Sequence, residues 1–551
     1  MTAKRPALAC DMQEHLENPP PENTNGNSAE ATASREDRPC WPRLHPLDLA
    51  AIAVTLGIAV AVTVPRLSSG ICFGDSGGIQ LAAATSGITH PPGYVGYLSL
   101  AHLFTLVPGV DPAYMVSLAC LGCGVITLLL CIMIQVRLGV GVGLACAASL
   151  GLTAYARFWT NLLAPEVYIP TLMFMTTSAY LLIRYSRRGV RRDLYLAALL
   201  FGSALANRPP ALFTLPFFLA VWWLVSSKLV CSSGLSLKPL LVVLGCGILP
   251  GVHSLAYLWV RDNPSTRYNY IAQFTAETQE LPLATDGPRA KVERISWLIT
   301  GRQFRALMGN TWSGVRAKFR FLRNELLPLG WLPMLLIPYQ AVIFLFGLVI
   351  LALAGVIAWQ RCRITTLLLL GLACGSTLFV CLYRIHGDAA DYLPLLFLLT
   401  VLVGVALSPL LPFAASKRQR TAALVLAGAA CAGTVLHAPY RHKTGANLDA
   451  ARFLKQLDMP TLPRNAVICS HWGTSPPLWY AQWVLFDRDD LHVVNAWSRE
   501  WLRMTEPMRG RPLYATSQPN KEDGFTFQRY RNVWRLERIE NPPESESLAS
   551  D

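Results

Sequence analysis

The sequence predicts a polytopic α-helical membrane protein, and two observations lead to that prediction. Only 15% of the 551 residues are charged, whereas 52% are hydrophobic. A soluble domain carries about a quarter charged residues, so this composition excludes an ordinary soluble protein. In addition, apolar stretches of about 20 residues, the length needed to cross a bilayer, recur along most of the chain.

The sequence contains about eleven candidate spans. They lie near residues 47–66, 113–136, 139–156, 163–184, 193–208, 210–226, 238–260, 332–358, 364–384, 391–411 and 420–438. The third, fifth and sixth are short or closely coupled to a neighbour, which leaves the count open by about two.

The distribution of Lys and Arg predicts the orientation of these spans. With the N-terminus inside, every inner loop is basic, as the positive-inside rule requires. The inner loops then hold Arg137, the cluster from Arg184 to Arg192, Lys228 and Lys238, Arg361 and Arg363, and the segment from Lys417 to Arg420. We therefore expect the C-terminal part outside. Because the net charge of +14 is spread over these loops, it does not indicate nucleic-acid binding.

The predicted domain organisation follows from this topology. Residues 1–45 are rich in Pro, Asn, Glu and Ser and predict a disordered cytoplasmic tail, and residues 541–551 predict a second disordered tail. Residues 46–439 form the predicted transmembrane domain, with long outer loops at 67–112 and 261–331. The first loop predicts amphipathic helices at 78–87 and 94–107, which can lie in the interface plane.

Residues 440–540 predict a small extracytoplasmic α/β domain. Short apolar runs there are typical of buried strands, and a helix is expected to start at Pro476. The predicted strands are 465–470, 491–495, 511–515 and 532–537.

Polar residues that the predicted topology brings to the outer face are candidates for a functional site, because ionisable groups at a membrane surface are costly. These candidates are Asp75 and His90 in the first outer loop, Glu166 and Tyr168 at the start of the fourth span, Arg208 after the fifth, Arg302 in the long loop, and Arg384 and Asp388 between the ninth and tenth.

One carboxylate and several arginines at the edge of a bilayer suit sugar transfer from a polyprenyl phosphate. The acceptor hydroxyl needs a base, and the departing phosphate gathers negative charge that fixed cations neutralise. The planar fork of arginine pairs well with phosphate oxygens. A structural role stays open for each residue. Asp75 suits a helix N-cap, Glu166 a first helical turn, and the arginines suit lipid headgroups or nearby acids.

Several motifs, in order over roughly residues 47–500, resemble a known family. The most specific is Phe73-Gly-Asp-Ser-Gly-Gly78 followed by Gly87-Ile-Thr-His-Pro-Pro-Gly-Tyr94. The later motifs are Glu166-Val-Tyr168, Asn207-Arg208, Thr300-Gly-Arg-Gln-Phe304, the stretch from Tyr383 to Pro394, Pro476-Pro-Leu-Trp-Tyr-Ala-Gln482, and Val493-Val-Asn495. Together they resemble glycosyltransferase family 117, long catalogued as domain of unknown function 2723.

That resemblance implies a GT-C fold and an activity like that of membrane protein O-mannosyltransferases, with a polyprenyl-phosphate sugar as donor. It also implies that Asp75 is the catalytic base. This chain departs from the family at one position, because the family usually reads Asp-Ser-Gly-Glu and Gly78 stands in place of the Glu.

Our sequence-based hypothesis is an inverting membrane glycosyltransferase that moves a sugar, mannose by analogy, to an acceptor hydroxyl on the outer face. Asp75 is the predicted base. The predicted donor-binding residues are His90, Glu166, Tyr168, Arg208, Arg302, Arg384 and Asp388. The acceptor stays open between protein Ser/Thr, a lipid-linked glycan and a cell-wall polymer. No metal ligand is assigned, and a need for a divalent cation also stays open.

Two other functions remain as alternatives. A transporter or flippase would carry inverted repeats and charges buried in its spans, and the sequence has neither. A catalytically silent assembly protein stays open because of Gly78. The chain carries no Asn-x-Ser/Thr sequon apart from Asn263-Pro-Ser265, which its proline excludes, and it carries no ER-retention tail. These features favour a bacterial inner membrane.

Overall fold

The computed structural model describes residues 44–233, 237–278, 280–283, 285–326, 340–384, 389–409, 450–520, 523–530 and 533–539. The predicted C-terminal tail, nearly all of the predicted N-terminal tail, the predicted span at 420–438 and the candidate Asp388 lie outside these residues.

Long apolar helices form the part of the chain predicted to cross the membrane. They are α1 (Pro46–Thr63), α4 (Pro112–Arg137), α5 (Val142–Ala154), α6 (Ala156–Leu163), α7 (Tyr168–Arg188), α8 (Arg191–Asn207), α9 (Leu215–Ser233), α10 (Leu237–Arg261), α14 (Gln340–Arg361), α15 (Arg363–Leu382) and α16 (Leu393–Leu407). Helix α4 packs against α5 and α7, α7 against α8, and α8 against α10. A single apolar core therefore connects them.

The predicted count of eleven spans is not confirmed. Among the described residues, four helices are long and apolar enough to cross a membrane, namely Pro46–Arg66, Pro112–Arg137, Leu240–Arg261 and Arg363–Leu382. The pair α6 and α7, bent by 108°, makes a fifth if it is one broken span. Other apolar stretches form shorter helices. For example, α16 has 15 residues and therefore extends about 22 Å.

The sequence places a single span at 163–184, but the structure breaks the helix there. Pro165 lies between α6 and α7, and α7 begins only at Tyr168. Proline has no N–H to donate and disfavours helical geometry in the residue before it, so a helix usually ends there. The break places Glu166 outside regular helix, where its backbone N–H donates to the Ala164 carbonyl at 2.7 Å.

The loop between α1 and α4 contains α2 (Gly74–Thr85) and α3 (Val95–Thr105), close to the predicted helices. Helix α2 does not lie exposed in an interface plane, because every residue from Ser76 to Ala83 is buried. The fully buried Gln80 stabilises it there. Its side chain accepts from Cys72 N at 2.7 Å and donates to the Ala113 carbonyl at 2.9 Å.

The long loop after α10 contains α11 (Tyr270–Thr278), α12 (Pro288–Thr300), a 3-10 helix (Arg302–Leu307) and α13 (Trp312–Leu326). A buried ion pair fixes α12 to the end of α10. Arg294 donates to both carboxylate oxygens of Asp262, at 3.0 and 2.9 Å, and each side chain is about 1% exposed or less. Asn269 also donates to Asp262, at 2.9 Å. Since an unpaired buried charge is very costly, this network stabilises the loop.

Residues 450–539 form a C-terminal sheet domain, as the sequence predicts. Its elements are α17 (Ala451–Leu457), β1 (Val467–Ser470), α18 (Ser475–Tyr480), β2 (His492–Asn495), α19 (Ser498–Thr505), β3 (Leu513–Ala515), β4 (Phe525–Tyr530) and β5 (Val533–Arg538). The strand order is β2-β1-β3-β5-β4. Strand β1 runs parallel to β2 and β3, and β5 runs antiparallel to β3 and β4. Strand β4 and helix α19 are additions to the predicted elements.

Helices α8 and α10 approach closely at Gly202, and this contact is testable. A Cβ atom at Gly202 would lie 2.1 Å from the Gly247 carbonyl oxygen, which cannot move without shifting α10. We expect Gly202→Ala to lower the stability by about 1–3 kcal/mol, as overpacking does. Thermal unfolding of the purified protein in nanodiscs measures this loss.

Gly245→Ala on α10 is the matched control. A Cβ there meets no atom within 4 Å, so this variant is expected to keep the stability or to gain up to about 1 kcal/mol from the helix propensity of alanine. Equal melting temperatures for the Gly202 and Gly245 variants would contradict the close approach.

Candidate functional site

One cavity of about 600 Å³ brings together residues from distant parts of the chain. Its polar and aromatic lining residues are Asp75, His90, Tyr94, Tyr168, Arg208, Thr300, Arg302, Phe304, Arg305, Phe379, Tyr383 and Asp391. These residues come from α2, the turn before α3, the start of α7, the end of α8, the end of α12 and the 3-10 helix after it, the end of α15, and the segment before α16. The volume suits a small molecule or a headgroup.

Asp75 provides the carboxylate of the cavity. It lies in the first turn of α2, and its side chain is 55% exposed. The indole nitrogen of Trp472 donates to its Oδ1 at 2.6 Å, while His90 Nε2 lies 3.9 Å from its Oδ2. Asp75 therefore combines a fixed oxygen with access to the cavity.

His90 lies beside Asp75 in a nearly buried position. Its ring packs edge to face against Tyr94, Tyr270 and Trp472, with centroid distances between 5.1 and 6.4 Å. Burial lowers the pKa of His90 from its ordinary value, although the nearby Asp75 opposes this shift. Burial therefore disfavours the charged form of His90.

Arg208 also lines the cavity, and its charge is already compensated. Its guanidinium forms an ion pair with Asp391, and both side chains are largely buried. The same guanidinium lies 4.4 Å from the ring centroid of Tyr168, within the range of cation–π contact. Arg208 follows α8 directly, and Asp391 lies in the short 3-10 helix before α16. The pair therefore joins these two elements and shapes the wall of the cavity.

Arg302 and Arg305 carry the uncompensated positive charge of the cavity. Both lie on the 3-10 helix after α12, and both are exposed. Residues three apart face the same side of a 3-10 helix, which explains why both reach the cavity. Neither has an ionic partner among the residues that the structure describes. They are thus available to an anion.

Two predicted donor-binding residues do not line this cavity. Glu166 accepts from the Ser76 hydroxyl at 2.5 Å and so contacts α2. Arg384 donates through Nε to the Gly309 carbonyl at 2.7 Å, and its backbone N–H donates to Leu307. Asp388 lies outside the described residues. The structure therefore brings five predicted residues together in one cavity, namely Asp75, His90, Tyr168, Arg208 and Arg302.

Sequence reasoning missed Arg305 and Trp472, and it included Asp391 only within a longer family motif. Arg305 carried a signal, since it lies one turn of a 3-10 helix from Arg302. The role of Asp391 follows only from the structure, where it forms an ion pair with Arg208. Trp472 is 397 residues from Asp75 in sequence, and no local pattern connects them.

The position of Gly78 explains the departure from the family motif in steric terms. A Cβ there would lie 3.2 Å from the Tyr268 hydroxyl oxygen, 3.5 Å from Thr89 Oγ1 and 3.5 Å from the Trp472 ring. A Cβ atom at this position would therefore require the Tyr268 hydroxyl to shift slightly, whereas the other two distances are ordinary contacts. Tyr268 and Trp472 occupy the space next to α2.

The described part of the chain contains no group of three or more His, Cys, Asp or Glu side chains that could hold a metal ion.

Comparison with known proteins gives one family model that matches residues 75–230, described as the N-terminal domain of the protein O-mannosyl-transferase TMEM260. The match begins at Asp75 and ends within α9. No curated protein matches the chain. The resemblance to glycosyltransferase family 117 is not confirmed under that name, but the O-mannosyltransferase similarity agrees with what it implies.

Solved structures of membrane glycosyltransferases resemble this chain. ArnT from Cupriavidus metallidurans in the apo state is 12% identical, with a TM-score of 0.53 over 89% of this chain and 98% of that chain. Arabinofuranosyltransferase AftD from Mycobacteria is 14% identical, with a TM-score of 0.47 over 92% and 40%. One chain of the S. cerevisiae Pmt1-Pmt2 complex bound to the sugar donor is 16% identical, with a TM-score of 0.33 over 40% and 34%.

These structures carry different weight. The present chain spans about a third of the length of the yeast O-mannosyltransferase chain that it matches. The ArnT similarity extends over nearly all of both chains and supports the fold. The structural neighbours are GT-C membrane glycosyltransferases, so the predicted fold class is confirmed at that level.

The link between the C-terminal sheet domain and the long loop includes a titratable contact. Asn495 Nδ2, at the end of β2, donates to Glu277 Oε1 in α11 at 2.9 Å. Burial raises the pKa of Glu277 from 4.5 to about 7, and the Asn495 hydrogen bond opposes this shift. Glu277 is thus protonated more readily in the folded protein than in the unfolded chain.

This shift predicts how stability depends on pH. Between about pH 4.5 and 7 the folded protein binds more protons at Glu277 than the unfolded chain does. The contribution of Glu277 to the free energy of unfolding therefore falls as pH rises. Glu277→Gln removes the titration and keeps a hydrogen-bonding amide. Relative to that of the wild type, we expect the free energy of unfolding of the variant to increase by about 1–3 kcal/mol on going from pH 5 to pH 7.5. Thermal unfolding of both proteins across this range measures the difference, and a constant difference would contradict the assignment.

Proposed function

We propose that this protein is an integral-membrane glycosyltransferase that transfers one sugar from a polyprenyl-phosphate donor to an acceptor hydroxyl. One observation carries the proposal. A single cavity has an accessible carboxylate, Asp75, and two arginines without ionic partners among the described residues, Arg302 and Arg305. A carboxylate is the base that an acceptor hydroxyl needs, and paired guanidinium groups suit a phosphate.

In the proposed reaction the acceptor oxygen forms a bond to the anomeric carbon while the bond from that carbon to the phosphate oxygen breaks. The acceptor proton passes to Asp75, and the electron pair of the broken bond stays on the phosphate. Direct displacement inverts the anomeric configuration. Asp75 Oδ1 accepts from Trp472, so Oδ2 is the oxygen assigned to the acceptor proton.

The leaving phosphate gains negative charge as the bond breaks. Charge-assisted hydrogen bonds from guanidinium groups stabilise such charge, and they are stronger than neutral ones. Arg302 and Arg305 are assigned this role. Arg208 is assigned a different one, because Asp391 already balances its charge, and it holds Tyr168 in the cavity wall.

The donor sugar is proposed to be mannose and the acceptor a protein Ser or Thr. The match to an O-mannosyl-transferase domain over residues 75–230 supports both. We place the site at the outer face of a bacterial inner membrane, with the N-terminus inside. The basic inner loops support this orientation.

The first test replaces the base. Asp75→Asn keeps the shape of the side chain and an oxygen that accepts from Trp472, but it cannot take a proton. We expect kcat to fall by about 10²–10⁴-fold while the KM for the donor changes little. The assay measures polyprenyl phosphate released by the protein in nanodiscs, with polyprenyl-phosphate mannose and an extract of outer-face proteins and glycans.

Asp489→Asn is the matched control, because Asp489 is 66% exposed in the C-terminal sheet domain and does not line the cavity. It is expected to behave as the wild type. Release that depends on the extract and on Asp75 supports a transferase. Full activity of Asp75→Asn removes Asp75 as the base, and no release with any polyprenyl-phosphate sugar contradicts the proposed function.

The second test replaces the cationic groups. We expect Arg302→Gln and Arg305→Gln each to raise the KM for the donor by roughly 10-fold or more, because each removes a charge-assisted hydrogen bond. Inhibition by added polyprenyl phosphate should weaken in parallel. Steady-state kinetics over a range of donor concentrations measures both effects.

Arg384→Gln serves as the control for this pair, because Arg384 bonds the Gly309 carbonyl and does not line the cavity. This variant also removes one positive charge, but it removes no proposed contact with the phosphate. If Arg384→Gln raises the KM for the donor as much as the other two variants do, the effect reflects the overall charge of the protein. The assignment of Arg302 and Arg305 is then wrong.

A further inference from the structure

The C-terminal sheet domain reaches the proposed base through one short turn. Residues 471–474, directly after β1, lie against the first turn of α2. Trp472 Nε1 donates to Asp75 Oδ1 at 2.6 Å, and Gly74 N donates to the Gly473 carbonyl at 3.0 Å. Two adjacent hydrogen bonds therefore join the same two short segments.

The packing around Trp472 fixes the direction of its indole N–H. The rings of His90 and Tyr270 meet it edge to face, with centroids at 5.8 and 5.4 Å. The indole ring is also half-buried and packs against the apolar core. A ring enclosed in this way has few alternative rotamers, so its donor is preorganised toward Asp75.

A fixed hydrogen-bond donor matters more for the exposed Asp75 carboxylate than it would for a buried one. Its side chain is 55% exposed, and the nearest histidine nitrogen lies 3.9 Å away, beyond hydrogen-bond distance. An exposed carboxylate without a fixed donor samples several rotamers. A base must lie within hydrogen-bond reach of the proton that it takes, so rotamer freedom at Asp75 lowers the fraction of productive complexes.

We propose that Trp472 is a positioning residue, which holds the Asp75 carboxylate in its catalytic rotamer through the indole N–H and so makes the rate of transfer depend on the docked C-terminal sheet domain. The proposal rests on the proposed role of Asp75 as base. Trp472 touches no reacting atom. It acts only through Asp75, and it leaves Oδ2 free for the acceptor.

The first experiment removes the donor and keeps an aromatic ring. In the polyprenyl phosphate release assay, we expect Trp472→Phe to lower kcat by about 10-fold or more, as loss of a hydrogen bond to a charged group does, with the KM for the donor unchanged. Trp483→Phe is the matched control, because Trp483 stacks on Trp479 in the same domain. It should retain wild-type kinetics. An unchanged kcat for Trp472→Phe, or an equal loss in Trp483→Phe, would overturn the proposal.

A double-mutant cycle separates positioning from packing. If Trp472 acts through Asp75, then Trp472→Phe should cause no further loss of kcat in the Asp75→Asn background, where the base is already absent. A packing defect would multiply with the loss from Asp75→Asn. Independent losses in the two variants therefore contradict positioning.

A second measurement does not require turnover. Electron cryomicroscopy of the wild type and of Trp472→Phe in nanodiscs reports the rotamer of Asp75 directly. We expect one rotamer on the indole nitrogen in the wild type and a different or averaged position in the variant. An unchanged rotamer overturns the proposal even in a protein that transfers no sugar, whereas a changed rotamer without transfer supports the positioning contact and places the failure in the proposed function.

Discussion

The architecture depends on the burial of α2 between the helical part of the chain and the C-terminal sheet domain. Gly77 permits this, because a Cβ there would lie 2.1 Å from the Cys72 carbonyl oxygen and 3.2 Å from Pro476. The Tyr480 hydroxyl adds a second attachment, donating to Asp111 Oδ1 at 2.7 Å and accepting from Ala113 N at 3.1 Å. Asp111 also caps α4. The domain thus completes both the start of α4 and the surroundings of Asp75.

The arginines in and near the cavity have different roles because their neighbours differ. Arg208 is paired with Asp391, Arg384 bonds a carbonyl, and Arg302 has no ionic partner among the described residues. Asp391 balances the charge of Arg208, Arg384 keeps its charge but does not line the cavity, and Arg302 brings a full positive charge to the cavity. Since the partners lie far away in sequence, composition and spacing identify the candidate arginines without sorting them by role.

Local patterns predicted much of the secondary structure, and long-range contacts explain the rest. The apolar runs at β1 and β2 are four-residue strands close to where alternation and turn residues place them. Pro165 signalled a break that the apolar run around it concealed. The contact between Trp472 and Asp75 had no local signal, because it depends on how a sheet packs on a helix. The count of eleven spans is not confirmed among the described residues, where several apolar stretches form helices shorter than a bilayer is thick.

The size of the cavity limits which parts of the donor and the acceptor it can hold at the same time. About 600 Å³ accommodates a phosphate, one monosaccharide and the tip of an acceptor, but not a long isoprenoid chain. The hydrocarbon tail of a donor must therefore run along the apolar outer surface of the helices, in contact with lipid. Each cycle then requires the spent carrier to leave by lateral diffusion in the bilayer before the next loaded carrier arrives.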